Sequence, residues 1–396
     1  MTKQHQQQDI VIIGGGMVGA AAAVGLAQLG LRVAVVEACA PEAYDPEQAL
    51  DVRVSAVSLA SENLLARLGA LEGLLQMRQV AYRGLETWEM EGCITRFHAE
   101  QLKLSHLGHI VENRLVQLAL WQQFERYDKL TVCCPAQVTR MVRSCSGIEV
   151  SLDNGLVLDS HLLVGADGAN SLVRQWAGIG VAGWDYSQSC MLINIATADD
   201  EQDITWQQFT PRGPRSLLPL PGHHASLVWY DDAKMIKGLM QLSPKQLKQA
   251  IDSHFPERLN RDFEVLERGS FPLTRRHAKQ YYRDNLVLLG DAAHTINPLA
   301  GQGVNLGFKD VDTLLEEVAS ALSDDPVQWW DNAVLARYQR RRWYDNQLMM
   351  TGMDLFYAGF SNDILPLKLV RNLGLKLADI NTPVKQQVLR YALGLS

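Results

Sequence analysis

The chain alternates between short, wholly apolar runs and longer stretches whose apolar residues recur every three or four positions. The first run, residues 10–13, is a β-branched IVII and reads as a buried parallel strand. Three glycines, an alanine-rich helix to about Leu29 and a second apolar strand over 32–36 follow it. Two more apolar runs, 162–164 and 286–289, each break into a small, polar turn. From Gly303 the spacing of Val304, Phe308, Val311, Leu315, Val318 and Leu322 predicts a helix. Residues 190–196 and 225–230 read as strands, and 326–396 as a mainly helical tail. Strands and helices in this order predict an α/β fold: a three-layer Rossmann-type domain with an inserted α+β sheet domain and a helical C-terminal region.

The first turn carries chemistry. Gly14-Gly15-Gly16-Met17-Val18-Gly19 fits G-x-G-x-x-G between a strand and a helix. Gly14 makes the tight turn, Gly16 lets the backbone approach a pyrophosphate, and Gly19 lets helix and strand pack closely. Free N–H groups at the helix start attract phosphate. Glu37 ends the second strand, where its carboxylate can accept the hydroxyls of an adenosine ribose. Strand, turn, helix, strand and terminal acid in sequence predict a dinucleotide site, but do not separate NAD from FAD.

Two later motifs bear on that choice. One is Gly165-Ala166-Asp167-Gly168-Ala169-Asn170-Ser171, followed by Val173 and Arg174. The other is Gly290-Asp291-Ala292-Ala293-His294, running on through Pro298-Leu299-Ala300-Gly301-Gln302-Gly303-Val304-Asn305. Together with the glycine turn they resemble the group A flavin-dependent aromatic hydroxylases, which have the p-hydroxybenzoate hydroxylase fold. That resemblance implies FAD as cofactor and NAD(P)H as co-substrate. It places the ADP half of FAD on the glycine turn, the ribityl chain on Asp291, and both FAD and the nicotinamide donor near Asp167 and Gly168. The backbone N–H groups of Gly301, Gly303, Val304 and Asn305 open a helix whose positive end suits the negative charge of reduced flavin. Pro298 and His294 are candidates to line the active site. A helix-start role for the proline and a structural hydrogen bond for the histidine are the alternatives.

Within that fold, Asp51-Val52-Arg53-Val54-Ser55-Ala56, His109-Ile110-Val111-Glu112-Asn113 and the 294–307 block resemble the ubiquinone-biosynthesis hydroxylases. So do 206–211, 271–277 and 352–360, and the similarity runs near full length. It implies a ring-hydroxylating monooxygenase that takes O₂, NAD(P)H and a polyprenyl quinol. Arg53 matches the arginine near the flavin in that family; a surface salt bridge is its plainer role. Where many group A hydroxylases carry an FAD-contacting arginine at a helix start, this chain has Asn113, with Arg114 beside it. No catalytic base is assigned, because a quinol ring is activated by its own oxygens. An amine or hydroxy-acid oxidase would lack the second and third motifs, and a flavin halogenase would show W-x-W-x-I-P, absent here. A non-catalytic FAD-bound scaffold within a biosynthetic complex stays open.

Motifs so far apart imply a discontinuous FAD domain over 1–75, 98–180 and 274–325. Residues 76–97 and 181–273 then form the substrate domain, with Trp88, Trp206, Phe209 and Trp229 available to cover an aromatic ring. The 47% hydrophobic and 20% charged composition is that of a folded soluble chain, and the net charge of −7 argues against a nucleic-acid partner. Six scattered cysteines without C-x-x-C suit a reduced cytoplasmic protein, and the polar start MTKQHQQQD has no signal-peptide layout. Between 361 and 396 five basic residues (Lys368, Arg371, Lys376, Lys385, Arg390) face two acids, and Leu367, Val370, Leu373 and Leu377 recur at helical spacing. That pattern suits either a membrane surface or lipid-binding partner, or a packed helix with a solvated basic face.

Overall fold

The computed structural model describes residues 4–144, 147–296 and 303–360, together with 368, 371–372, 385–387, 389–390 and 393–394. The first of two eight-stranded sheets has strand Gln4–Ile13 at its centre, flanked in parallel by Val33–Val36 and Leu156–Gly165. Leu130–Cys133 extends it on one side; Leu286–Leu288, parallel to Leu156–Gly165, extends it on the other. The registers Ile13↔Val36, Ile13↔Gly165 and Gly165↔Leu288 bring four strands to a common end. The three turns singled out in the sequence therefore leave the same sheet edge from adjacent strands.

Helices Met17–Gln28 and Gly303–Asp324 pack on this sheet. Their buried faces join Ile10, Ile12, Val33, Val35, Leu163 and Val164 in one core. Gly25 permits the close crossing of the two helices, since a Cβ there would lie 2.3 Å from Leu315 Cδ1.

The second sheet runs His294–Thr295, Phe263–Ala278, Val181–Thr197, His224–Asp232, Arg215–Leu220, Ile204–Gln208, Gly84–Trp88, Thr95–His98. Alternation along Val181–Thr197 gives it two chemically distinct faces. Met191, Ile193 and Ile195 point to the outer face and pack with Trp88, Trp206 and Trp229 against helices Ala233–Leu239 and Pro244–His254. Cys190 and Leu192 point to the inner face, where they cluster with Val228, Tyr230, Leu273 and the Val52 side chain of the first-sheet side. Asn194, on the same face, donates through Nδ2 to the carbonyls of Leu50 (3.1 Å) and Asp51 (3.2 Å). The three tryptophans that composition offered for covering a substrate ring are thus core of the outer layer. Phe209 packs against Phe360, ring centroids 4.7 Å apart and planes tilted by 39°.

The 29-residue helix Asn332–Phe360 closes the molecule. Tyr338 donates to the Leu288 carbonyl (2.9 Å) and Trp343 to that of Ala278 (3.0 Å). Beyond it, the described tail residues pack on the body. Arg371 pairs with Glu89 at 2.5 Å, Asn372 donates to the same carboxylate at 2.8 Å, and Lys385 is buried near the Phe97 ring. Leu389 and Leu393 are buried beside Ala56, Tyr82 and Leu107. Arg390 is exposed. No helix among the described residues is long and apolar enough to cross a membrane.

Candidate active site

The glycine turn is shaped by backbone sterics. Gly14 has φ +101°, and a Cβ there would meet the Ala166 carbonyl oxygen at 2.4 Å. At Gly19 a Cβ would sit 1.9 Å from the Gly14 oxygen, so helix and strand meet only through glycine. Gly16 is the opposite case: nothing lies within 4 Å of its Cβ position. The helix Met17–Gln28 starts there with no side-chain cap and no acid in its first turn, leaving its positive end for an anion. Glu37 accepts hydrogen bonds from the Gly15 N–H (2.6 Å) and the Cys39 N–H (3.1 Å). Each carboxylate oxygen keeps lone-pair capacity for a hydroxyl donor.

Helix Asn113–Trp121 supplies two contacts that sequence reading missed. Gln117 and Trp121 both donate to the Gly15 carbonyl, at 2.9 and 2.7 Å. Their i, i+4 spacing from Asn113 through Trp121 was the available signal. Asn113 accepts from the Ser55 hydroxyl (2.7 Å), whereas Arg114 turns to Asp51 (2.9 Å) and to the carbonyls of Glu42 and Ala43.

At the second turn, Gly168 has φ +77° and Asp167 Oδ2 accepts from the Val173 N–H at 3.1 Å. Asp167 Oδ1 is buried without a hydrogen-bond partner. A buried carboxylate oxygen with no donor is a costly arrangement, and a ligand hydroxyl or amide supplies what it lacks. Arg174 locks this turn to the third one, donating to the carbonyls of Ala169 and Ala292, both at 2.8 Å.

Asp291, in the third turn, reaches solvent while protein crowds around it. That crowding raises its carboxyl above the ordinary range, against the pull of His294 and Arg53. Arg53 is exposed, makes no side-chain hydrogen bond or ion pair among the described residues, and lies within electrostatic reach of Asp291. His294 is buried and directed away from the cleft, its Nε2 2.5 Å from Asp310 Oδ2. The same oxygen accepts the Gly290 N–H at 3.0 Å. Asp310 Oδ1 accepts from Arg342 Nε (2.8 Å) and Asn346 Nδ2 (3.2 Å). Burial opposes ionisation of this wholly enclosed carboxyl, but His294 and Arg342 outweigh it and hold it near pKa 2. Asn346 continues the network to Tyr281, and Tyr281 to His277, whose burial lowers its pKa to about 4.

Helix Gly303–Asp324 begins with open space at Gly303, since nothing lies within 4 Å of its Cβ position; Val304 is buried. The Asn305 side chain is committed to the protein: it accepts from the Ser58 N–H (3.0 Å) and Ser61 hydroxyl (2.8 Å) and donates to the Ala56 carbonyl (2.8 Å). Only its backbone N–H can serve the cleft. Pro298 and Gly301 lie outside the described residues. Gly16, Asp167, Gly168, Asp291, Arg53 and Gly303 thus combine open space, an orphaned acceptor, a crowded but accessible acid and an uncommitted cation. This set fits FAD.

The description "FAD binding domain" matches residues 7–350 of this chain. The 3-demethoxyubiquinol 3-hydroxylase of Escherichia coli K12 is 50% identical over 391 residues, covering 99% of this chain and 100% of that one. The chain belongs to the FAD-dependent hydroxylases of ubiquinone biosynthesis. Ubiquinone hydroxylase UbiL of Rhodospirillum rubrum is 34% identical, over 98% of this chain and 89% of its own. Among solved structures, p-nitrophenol 4-monooxygenase PnpA of Pseudomonas putida DLL-E4 superposes with a TM-score of 0.80. The two chains are covered to 99% and 98%, and at 17% identity the likeness speaks for the fold alone. The enzyme is an FAD-dependent monooxygenase of the p-hydroxybenzoate hydroxylase type, and NAD(P)H is the co-substrate typical of its class.

Proposed function

We propose that this enzyme hydroxylates the ring of a polyprenyl benzoquinol intermediate of ubiquinone biosynthesis, specifically a demethoxyubiquinol, using NAD(P)H and O₂. The observation that carries this reading is the 50% identity spanning the whole of both chains with the Escherichia coli 3-demethoxyubiquinol 3-hydroxylase. Bound FAD supplies the redox chemistry, accepting hydride and activating O₂. The chain supplies position and exclusion of water. Gly14, Gly16 and Gly19 present backbone to the pyrophosphate, Glu37 accepts the adenosine ribose hydroxyls, and Asp291 holds the ribityl chain. Asp167 and Gly168 serve FAD and the visiting nicotinamide, while Arg53 and the backbone of Gly301, Gly303, Val304 and Asn305 border the flavin ring. Pro298, outside the described residues, is a candidate to line the same site.

The substrate ring is assigned to the inner face of the second sheet. Cys190, Leu192, Val228, Tyr230 and Leu273 make that face apolar, and Val52, one residue before Arg53, touches it from the cofactor side. An apolar face there would keep water from the reacting atoms. In this reading the FAD domain comprises 1–75, 98–180 and 274–325, the substrate domain 76–97 and 181–273, and the helical region 326–396. A polyprenyl chain is too apolar to leave a bilayer or carrier unaided, at about 0.8 kcal/mol per buried CH₂. The 361–396 tail is proposed to meet a membrane surface or lipid-binding partner, with Arg390 the described basic residue most open to it.

The test is turnover of a short-chain demethoxyubiquinol by the FAD-loaded enzyme, followed by mass spectrometry. Substrate-dependent NAD(P)H oxidation with one oxygen added to the ring is expected. Oxidation of NAD(P)H that yields only peroxide, with a different phenol hydroxylated efficiently, overturns the substrate assignment. Arg390→Glu tests the tail without removing the buried Leu389 and Leu393: activity on the short-chain quinol should survive while activity on the long-chain substrate falls. Unchanged activity on the long-chain substrate shows instead that this part of the tail only packs on the body.

A further inference from the structure

Glu62, His106 and His109 form a cluster that neither the cofactor turns nor the substrate face uses. Glu62 comes from helix Leu59–Arg67, His106 from the loop before strand Gly108–Glu112, and His109 from that strand. Glu62 Oε1 lies 2.7 Å from His109 Nδ1 and Oε2 lies 2.9 Å from His106 Nε2. The two rings are 4.6 Å apart, tilted by 60°. One nitrogen from each histidine and a carboxylate oxygen all fall within 4.8 Å of one another.

Charge makes the cluster unusual. Glu62 is 5% exposed and His109 7%, yet among the described residues the carboxylate's hydrogen bonds run to the two imidazoles alone, with no Lys or Arg. A carboxylate at that depth needs a compensating positive charge, because its desolvation is otherwise uncompensated. We propose that Glu62, His106 and His109 form a binding site for a divalent transition-metal ion, with Zn²⁺ the best match to an N₂O donor set.

The surroundings suit that role. The second ring nitrogen of His106 is 2.8 Å from the Ser105 hydroxyl, the outer hydrogen bond that orients a metal-bound imidazole and fixes its proton on Nδ1. Ligands about 2.0–2.2 Å from a tetrahedral ion stand roughly 3.3 Å from each other. The present 2.7–2.9 Å contacts reach that by small side-chain rotations. His106, with 21% of its side chain exposed, is the open corner where water would complete the tetrahedron. The ion would brace helix Leu59–Arg67 against strand Gly108–Glu112. Through Ser58 and Ser61, which hold Asn305, that bracing reaches the start of helix Gly303–Asp324 at the cofactor cleft. Its role is structural.

The experiment titrates Zn²⁺ into chelator-treated, FAD-loaded enzyme by calorimetry and records the thermal midpoint with and without the ion. Wild type, Glu62→Gln, His106→Ala and His5→Ala are compared. His5 controls for an exposed group, His5, Glu149 and Asp159, whose ligand atoms also converge. One ion per chain is expected, with affinity at least about tenfold weaker in Glu62→Gln and His106→Ala and unchanged in His5→Ala. Zn²⁺ should raise the midpoint of wild type and leave that of His106→Ala in place. Should Glu62→Gln fail to fold, the partly exposed His106 decides the matter. Absence of saturable binding below millimolar Zn²⁺ overturns the proposal, as does unaltered binding in His106→Ala or loss of binding in His5→Ala.

Discussion

The 14–19 turn and the 290–294 turn leave strands that end at one level of the same sheet, yet they are supported from very different distances along the chain. The first is held by its own glycines and by Glu37, with Ala166 pressing on Gly14 from the neighbouring strand. The second is held from below by Asp310, and Asp310 by Arg342 and Asn346 on the Asn332–Phe360 helix. Local sterics shape one; a buried charge network shapes the other. The difference teaches that a motif can be complete in sequence while the part that makes it rigid lies 20 to 56 residues downstream.

The strongest test of that contrast is Asp310→Ala. It removes the buried carboxylate that holds His294 and the Arg342 Nε, leaving Arg342 only Asp345 and Asn346, and breaking such a buried pair costs about 3–5 kcal/mol. Urea unfolding should show a loss of that size, with FAD released at lower denaturant. Near-wild-type stability together with normal FAD binding would mean that the 290–294 turn holds itself. Next in size is the pair Glu37→Ala and Asp291→Ala. Each should weaken FAD binding about tenfold or more, since a charged hydrogen bond is worth roughly 1.5–3 kcal/mol. Fluorescence titration gives the affinities, and wild-type values in both variants would remove these acids from the cofactor site.

Acid should act on the network around the 290–294 turn. His277 is buried neutral, its pKa lowered from 6.5 to about 4. Above pH 6.5 neither folded nor unfolded chain protonates it, so it contributes no pH dependence. Below 6.5 the unfolded state takes up a proton that the folded state refuses until about pH 4, and stability falls across that window. By pH 5.5 the loss is about 1.4 kcal/mol. His277→Gln should flatten this slope in pH-dependent unfolding; an unchanged slope assigns it elsewhere. Asp310, held near pKa 2, stays ionised throughout that range. The smallest effect is expected at the first turn. Gln117→Leu removes one of two donors to the Gly15 carbonyl and leaves Trp121 in place, costing about 0.5–1.5 kcal/mol. FAD affinity should change only a few-fold; a collapse in binding would show that this turn, too, depends on distant support.

Much of the architecture was legible because its signals are local. The strand at 10–13 extends back to Gln4 in the structure, and the helix from Gly303 runs as its spacing predicts, to Asp324. Apolar runs and helical spacing record which face each element buries, and Gly14 and Gly19 record close backbone approach. Side-chain direction was not legible in the same way. Nothing in the sequence separates Trp206 and Trp229, buried on the outer face, from residues of the inner face. That assignment depends on strand register, and a shift of one residue exchanges the faces. His294 and Asn305 sit within the family's motifs, yet their side chains serve Asp310 and the 56–61 segment.

The sequence by itself determined a dinucleotide site, from glycines where only glycine fits and an acid at a strand end, which are constraints a few residues long. FAD and the family came from three ordered motifs and a resemblance that runs the length of the chain. Only the tertiary structure decided which acids are free and which are spent. Asp291 and Asp167 keep accessible or orphaned oxygens, while Asp310, equally acidic in sequence, is consumed by His294, Arg342, Asn346 and Gly290. The reason is that a carboxylate's role is set by the donors that reach it. Those donors come from strands and helices brought together by packing, at separations no local pattern encodes.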